Sequence, residues 1–154
     1  MNRMLQPLRR LRDLWRAGKP PRAESPAHLQ TGLWGEEQAA RWLAEQGYRI
    51  LGRRVRVGDR DEFDLVAADG ASLVFVEVKT RRSELFGRPG SAVNKAKRHS
   101  LSRAAVRYLR TLKNPRGNFR FDVVEIIGAP GDQAPVIRHI PNAFPLDRGY
   151  QVPR

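Results

Sequence analysis

The sequence predicts an α/β domain in which helices flank a mixed β-sheet, with core elements in the order αβββαβ. Two segments place apolar residues at helical spacing, and five others are rich in the β-branched and aromatic residues typical of strands. Gly, Pro and Asp separate most of these segments. Strands and helices that alternate in this way favour one sheet with helices packed against it.

Seven elements follow from these signals. In chain order they are a helix over 33–46, strands over 48–57, 62–68 and 73–80, a helix over 91–113, and strands over 119–127 and 136–140. Asp69-Gly70 is a hairpin turn signal between the second and third strands. Residues 83–90 are predicted to form a loop, and the chain after Pro141 is expected to be irregular.

Charge and proline content divide the chain into three parts. Residues 1–30 are expected to form a basic, flexible N-terminal arm, because residues 1–24 hold seven cations against two acids and are interrupted by Pro20-Pro21. The alternative for this arm is a short amphipathic basic helix that grips phosphate or an acidic surface. Residues 31–141 are predicted to form the folded domain, and residues 142–154 an irregular C-terminal tail.

The chain is strongly basic and contains no cysteine. Lys and Arg number 29 against 16 acidic residues, and the net charge of +13 favours a polyanion, above all nucleic acid, as the partner. An arginine-rich compositional bias is the alternative explanation. No apolar stretch reaches the roughly 18 residues that a membrane span needs, and no secretory signal is evident. We therefore expect a cytoplasmic protein without a membrane partner.

One predicted strand, over 73–80, carries charge among its apolar residues. Because side chains alternate along a strand, Glu77 and Lys79 point to the same face. The register of the hairpin then decides what lies beside Glu77. A four-residue loop over 69–72 sets Asp64 directly opposite Glu77, and a two-residue turn sets it one step away on the diagonal.

The two faces of this hairpin are predicted to differ in character. One face concentrates charge, and on it Glu62 is expected to approach Lys79. The other face is expected to be wholly apolar and to be formed by Phe63, Leu65, Ala67, Val74, Val76 and Val78.

Two carboxylates set as close as Asp64 and Glu77 repel each other, and a divalent cation relieves the repulsion. An all-oxygen site suits Mg²⁺ or Mn²⁺, which would polarise a phosphoryl oxygen and help to generate hydroxide. Lys79 would orient the attacking water or steady charge on the phosphate. The alternative is a surface Glu–Lys pair on a solvent-facing strand.

The helices and the loop add further candidates. Glu36 lies on the sheet-facing side of the first helix, where it can bind the metal through water or support Lys79; a glutamate favoured by the helix dipole is the alternative. Lys97 lies on the sheet-facing side of the long helix, either as a phosphate contact or as a lysine that snorkels from the edge of the core. The candidate nucleic-acid-binding residues are Arg81, Arg82, Arg88, Lys95 and Lys97.

Five segments of the chain resemble one known family. They are Gly35-Glu36, Gly47-Tyr48-Arg49-Ile50-Leu51, Glu62-Phe63-Asp64-Leu65-Val66-Ala67, Leu73-Val74-Phe75-Val76-Glu77-Val78-Lys79-Thr80-Arg81 and Arg120-Phe121-Asp122-Val123-Val124. They resemble the YraN family of bacterial predicted endonucleases, which is similar to the archaeal Holliday-junction resolvases of the PD-(D/E)XK superfamily. The resemblance implies a restriction-endonuclease-like core.

The resemblance also implies roles for particular residues. Asp64, Glu77 and the Val78 carbonyl would ligate the metal, Lys79 would be the catalytic lysine, and Glu36 the acid of the first helix. The family pattern has Gly where this chain has Asp61, and Ile where it has Phe63.

The sequence thus favours a Mg²⁺- or Mn²⁺-dependent endonuclease that hydrolyses phosphodiester bonds in nucleic acid. DNA is favoured over RNA, with branched or damaged DNA among the expected substrates. The alternative is a non-catalytic nucleic-acid-binding module that retains the nuclease fold, and a basic scaffold protein is a third hypothesis. A homodimer is expected only by analogy with resolvase-like enzymes, which pair up to cut two strands.

Overall fold

The structure, a computed structural model of the 154-residue chain, describes residues 26–83, 93–112 and 118–152. Within these ranges the predicted α/β class and mixed sheet are confirmed, and the architecture is consistent with a restriction-endonuclease-like core. No helix of the described residues is long and apolar enough to cross a membrane. The elements are α1 (Ala27–Glu45), β1 (Arg49–Val57), β2 (Asp61–Asp69), β3 (Ser72–Arg81), α2 (Lys95–Thr111), β4 (Phe119–Ile127) and β5 (Val136–Phe144).

The five strands form one sheet in the order β1-β2-β3-β4-β5. All neighbouring strands are antiparallel except β3 and β4, which are parallel. Parallel neighbours cannot be joined by a tight turn and need a crossover connection, which contains α2. The crossover helix α2 packs mainly against β2 and β1, and its first turn brings Lys97 close to Glu77 of β3.

A helix covers each face of the sheet, so the domain has two apolar cores. The core under α1 contains Ala39, Ala40, Leu43, Leu65, Ala67, Val74, Val76, Val124 and Ile126. The core under α2 includes Phe63, Val66, Phe75, Leu101, Ala105, Leu109, Phe121 and Val123. Because both faces are covered, a charged side chain on a central strand is withdrawn from bulk water and needs a partner or a function.

Helix α1 begins at Ala27 rather than at the predicted residue 33. Pro26 stands at the N-cap with extended backbone angles, and its carbonyl accepts hydrogen bonds from the N–H groups of Leu29 and Gln30 at 2.8 and 3.1 Å. Residues 27–30 are all exposed. They lack the apolar periodicity from which the helix was predicted, so the pattern located only the part of α1 that packs on the sheet.

Strand β5 continues past the predicted end at residue 140 to Phe144, so the expectation of irregular chain directly after Pro141 is wrong. β5 is an edge strand, where a proline can stand without breaking the sheet. The N–H of Asn142 donates to Asp122 at 2.9 Å, and the Phe144 ring stacks on Phe121 with centroids 4.8 Å apart. Contacts with β4 therefore hold these residues as a strand.

Candidate metal centre

The side chains of β2 exchange faces at Asp64. Phe63 belongs to the core under α2 and stacks on Phe75 with ring centroids 4.4 Å apart, whereas Leu65 belongs to the core under α1. Residues two apart on a regular strand share a face, so the strand turns between Phe63 and Leu65. The prediction that both line a single apolar face, with charge on the other, is wrong.

The neighbouring strand β1 turns at the same level. Leu65 and Phe63 each pair regularly with β1, and Arg54 lies between their partners, opposite Asp64. Arg54 has a φ of 48°, in the left-handed region that residues other than glycine seldom adopt. A left-handed residue interrupts the regular pairing of a strand and re-aims nearby side chains. The side chain of Asp64 therefore does not follow the regular alternation of faces along β2.

The Asp64 carboxylate is fixed against β3. Leu65 pairs with Val76, which brings Asp64 level with Glu77, as in the register expected for a four-residue loop. The N–H of Val78 donates to Asp64 Oδ2 at 2.7 Å. The backbone of β3 therefore holds the Asp64 carboxylate beside Glu77.

Glu77 is buried between two lysines. Only 5% of its side chain is exposed, and it shares one face of β3 with Lys79, as predicted. Its Oε1 lies 3.2 Å from Lys79 Nζ, and its Oε2 lies 3.2 Å from Lys97 Nζ of α2. Oε2 nevertheless has no hydrogen bond of good geometry. The sheet-facing position predicted for Lys97 therefore brings its ammonium group to the acid.

The surroundings of Asp64 disfavour its ionised form. Burial, and next the negative charge of Glu77, raise the pKa of Asp64 to about 7, against the lowering effect of the hydrogen bond from Val78. Burial beside a second carboxyl group disfavours the charged form of Asp64. A cation between them would remove that penalty.

Glu36 approaches the same region from α1. It is preceded by Gly35, where an added Cβ would overlap the Thr80 hydroxyl, so only glycine lets α1 lie this close to β3. Burial raises the pKa of Glu36, and the nearby Arg54 guanidinium, 4.0 Å from Oε2, opposes that shift. Glu36 therefore stands at the site with a cation of β1 beside it.

These residues surround a pocket of about 460 Å³. Its lining consists of Ala27, His28, Thr31, Gly32, Glu36, Asp64, Glu77, Val78, Thr80 and Arg82. The sequence interpretation missed His28 and Thr31, because it began the first helix after them. The only available signal was the Ser25-Pro26 pair, since proline is common at helix starts.

The donor set fits a small, hard cation. The described residues contain no group of three or more His, Asp or Glu side chains close enough to hold a metal. What they offer is the carboxylates of Asp64 and Glu77, with Val78 lining the same pocket. Mg²⁺ is usually bound by one or two carboxylates and keeps several waters, so two acids on an open pocket suffice.

The remaining candidates are distributed differently. Arg82 is exposed and lines the pocket, whereas Lys95 is exposed at the start of α2 and its charge acts on Asp147. Arg81 is partly buried, and its carbonyl accepts a hydrogen bond from Gly128 at 2.8 Å. Arg88 lies outside the described residues.

Two acids of β2 have partners away from the pocket. Glu62, expected near Lys79, instead pairs with Arg54 at 3.3 Å and with Arg56 at 3.8 Å. Asp61 is buried and accepts two hydrogen bonds from Arg103 of α2, at 2.7 and 2.9 Å. The acid that replaces the glycine of the family pattern therefore ties β2 to α2 and does not line the pocket.

A second polar cluster lies near the far end of α1. Asp122 is fully buried and accepts hydrogen bonds from Arg120, His139 and the Asn142 N–H. Burial alone would raise its pKa, but these hydrogen bonds hold the pKa of Asp122 below its usual value. The cluster joins β4 to β5 and gives His139 a structural partner.

Comparison with known proteins adds a family match. Residues 35–126 match the model of a family described as "Uncharacterised protein family UPF0102". A UPF0102 protein of Symbiobacterium thermophilum is 48% identical over 75% of this chain and 96% of its own length. UPF0102 proteins of Chlorobaculum tepidum and Rhodococcus opacus are 42% and 44% identical, over 77% and 76% of this chain and 95% and 98% of theirs. The matched range includes the candidate residues from Glu36 to Lys97.

Proposed function

This chain belongs to the UPF0102 (YraN) family, and from that premise we propose that it is a divalent-metal-dependent endonuclease that hydrolyses phosphodiester bonds in DNA. One observation carries the proposal: two acids from neighbouring strands, Asp64 and Glu77, line one pocket, and lysines contact the more buried acid. Buried acids placed together raise the energy of the fold, so their presence at one site indicates a function.

Asp64 and Glu77 would hold Mg²⁺ or Mn²⁺, with the Val78 carbonyl as a further oxygen. When bound, such an ion polarises a phosphoryl oxygen and lowers the pKa of a water molecule. Lys79, on the same strand face as Glu77, stabilises negative charge that develops on the phosphate. Glu36 adds a carboxylate at the pocket wall that can accept a hydrogen bond from the attacking water.

Two features support nucleic acid as the substrate. The chain carries a net charge of +13, which attracts polyanions over long range. The pocket wall carries Arg82 and His28, both exposed, where the phosphates flanking a cleaved bond would lie. Contacts of this kind read the backbone and not the bases, so they favour recognition by shape over recognition by sequence.

The experiment is a cleavage panel. Wild-type protein is incubated with single-stranded, duplex, flapped and four-way DNA and with matched RNA, in Mg²⁺ or Mn²⁺. Cleavage of at least one DNA substrate is expected, and Asp64→Asn and Glu77→Gln should abolish it while salt-sensitive binding remains. Asp59→Asn, which removes an exposed acid outside the pocket lining, is the charge-matched control and should cut normally.

Two outcomes would contradict the proposal. Failure to cut any DNA or RNA with either metal, despite binding, would favour a non-catalytic nucleic-acid-binding module. Cutting that persists in Asp64→Asn and Glu77→Gln would point to a contaminating nuclease or to a different site.

A further inference from the structure

Glu77 already has a cation on each of its carboxylate oxygens. Lys79 follows it on β3 and places Nζ 3.2 Å from Oε1, whereas Lys97 reaches in from α2 and places Nζ 3.2 Å from Oε2. Only 5% of the Glu77 side chain is exposed, so water cannot replace these partners freely. Any divalent ion that Glu77 ligates must therefore compete with a lysine.

The two lysines differ in how firmly they are held. Lys79 is on the same strand as Glu77, two residues away, so its ammonium group stays near the acid whatever α2 does. Lys97 is on a separate element, and Oε2 makes no well-oriented hydrogen bond although the Lys97 ammonium is within ion-pair distance. The two lysine side chains are similarly exposed, 34% for Lys79 and 38% for Lys97, so the difference between them is that Lys97 belongs to a separate helix. Lys97 is the partner that a metal displaces more easily.

Charge balance leads to the same conclusion. The carboxylates of Asp64 and Glu77 carry at most two negative charges, against the two positive charges of Lys79 and Lys97. A divalent ion added to this set leaves at least two surplus positive charges in a partly buried site, which is unfavourable in a low dielectric. The surplus falls if one ammonium moves out towards solvent, and it falls further if that ammonium meets a phosphate.

We propose that Lys97 is a built-in counter-ion for Glu77 which a divalent cation displaces, and that the released ammonium group then binds a phosphate of the substrate. This inference rests on the proposed function and adds to it a coupling between metal and substrate. Lys97 keeps the acid neutralised until the metal arrives, and it becomes a substrate contact afterwards. The same side chain thus opposes metal binding and favours phosphate binding.

The test measures metal affinity without nucleic acid, so it does not depend on cleavage. Mn²⁺ binding to the full-length protein is followed by electron paramagnetic resonance or calorimetry for wild type, Lys97→Met and Lys95→Met. Lys95 has the same charge, lies two residues away on α2 and is exposed, so its variant measures the effect of net charge alone. We expect Lys97→Met to bind Mn²⁺ about tenfold more tightly than wild type, and Lys95→Met to stay within about twofold.

A second readout tests the coupling. A hydrolysis-resistant phosphorothioate oligonucleotide should strengthen Mn²⁺ binding to the wild type, because the displaced Lys97 gains a phosphate partner. The strengthening should be several-fold smaller in Lys97→Met and unchanged in Arg110→Met, which removes an exposed cation from the last turn of the same helix. If Lys97→Met unfolds, Lys97→Gln removes the charge while keeping a polar group near Oε2, and the same comparison applies.

The outcomes separate this inference from the proposed function. If Asp64→Asn abolishes Mn²⁺ binding but Lys97→Met binds no more tightly than Lys95→Met, the counter-ion role is overturned and the endonuclease proposal stands. If wild type does not bind Mn²⁺ at all, both are overturned. Weaker Mn²⁺ binding by Lys97→Met would instead make Lys97 a structural support for Glu77.

Discussion

Replacing Asp64 by Asn should make the protein more stable at pH 8 and inactive. Burial, followed by the charge of Glu77, raises the pKa of Asp64 to about 7 in the fold, so its ionised form is destabilising above that pH. Asparagine has nearly the same shape and carries no charge. Its Oδ1 can still accept the hydrogen bond that the Val78 N–H donates to Asp64 at 2.7 Å.

The magnitude follows from linkage between protonation and folding. The pKa of Asp64 is about 7 in the fold and near its ordinary value of 3.8 in the unfolded chain. Between these values the folded state binds more protons, so the wild-type free energy of unfolding falls as pH rises through this window. The ionised form of Asp64 can lower the free energy of unfolding by at most about 4 kcal/mol, because each pKa unit is worth about 1.4 kcal/mol. Relaxation around the site reduces this effect. We therefore expect the free energy of unfolding of Asp64→Asn to exceed that of the wild type by about 1–2 kcal/mol, or roughly 3–8 °C in Tm.

The assay is thermal unfolding of wild type and Asp64→Asn at pH 5 and pH 8 in the presence of a chelator, with Asp59→Asn as the exposed control. The advantage of Asp64→Asn should be smaller at pH 5, in the lower part of the window between the two pKa values, and should reach its full size at pH 8. Mn²⁺ should then raise the Tm of the wild type alone. A Tm of Asp64→Asn at or below the wild-type value at pH 8, or a difference independent of pH, would refute the reasoning.

Three further predictions follow from the backbone and the buried polar cluster. Gly35→Ala should lower the free energy of unfolding by about 1–3 kcal/mol in urea denaturation, because the new methyl group overlaps Thr80, and Thr80→Ala in the same chain should restore most of it. Arg54→Val should destabilise by about 1–3 kcal/mol and weaken Mn²⁺ binding, because a β-branched residue resists the left-handed conformation, whereas Arg54→Gly should preserve both. Asp122→Asn should destabilise by about 2–4 kcal/mol at pH 7. Because the folded pKa of Asp122 is depressed, the gap between this variant and wild type should close as pH falls below about 4, checked by unfolding at pH 7 and pH 3.

The positions of most elements could be predicted because they follow from apolar periodicity. Apolar and charged residues alternate in Val76-Glu77-Val78-Lys79, so strand geometry alone places the Glu77 and Lys79 side chains on one face. The apolar stripe of α2 faces the sheet, and so the ammonium of Lys97, predicted on the sheet-facing side, comes near Glu77. In these cases one local pattern decides the outcome.

The turn at Asp64 could not be predicted, because its cause is the backbone conformation of another strand. Nothing in Arg-Arg-Val-Arg indicates a φ of 48° at Arg54, and arginine is not a residue that favours it. The two polar contacts of Asp61 with Arg103 were equally hidden, since they join residues 42 positions apart. Long-range pairs of this kind depend on the final packing of α2 on the sheet.

The start of α1 on the pocket wall has a consequence for the basic segment that precedes it. Ala27 and His28 line the pocket, and residues 1–24, which precede them closely in the sequence, hold seven cations against two acids. Cations this close in the sequence to the pocket wall would add to the long-range attraction of a phosphate chain. Removing this segment should therefore slow the capture of nucleic acid, most strongly at low salt, and change the rate of the chemical step much less.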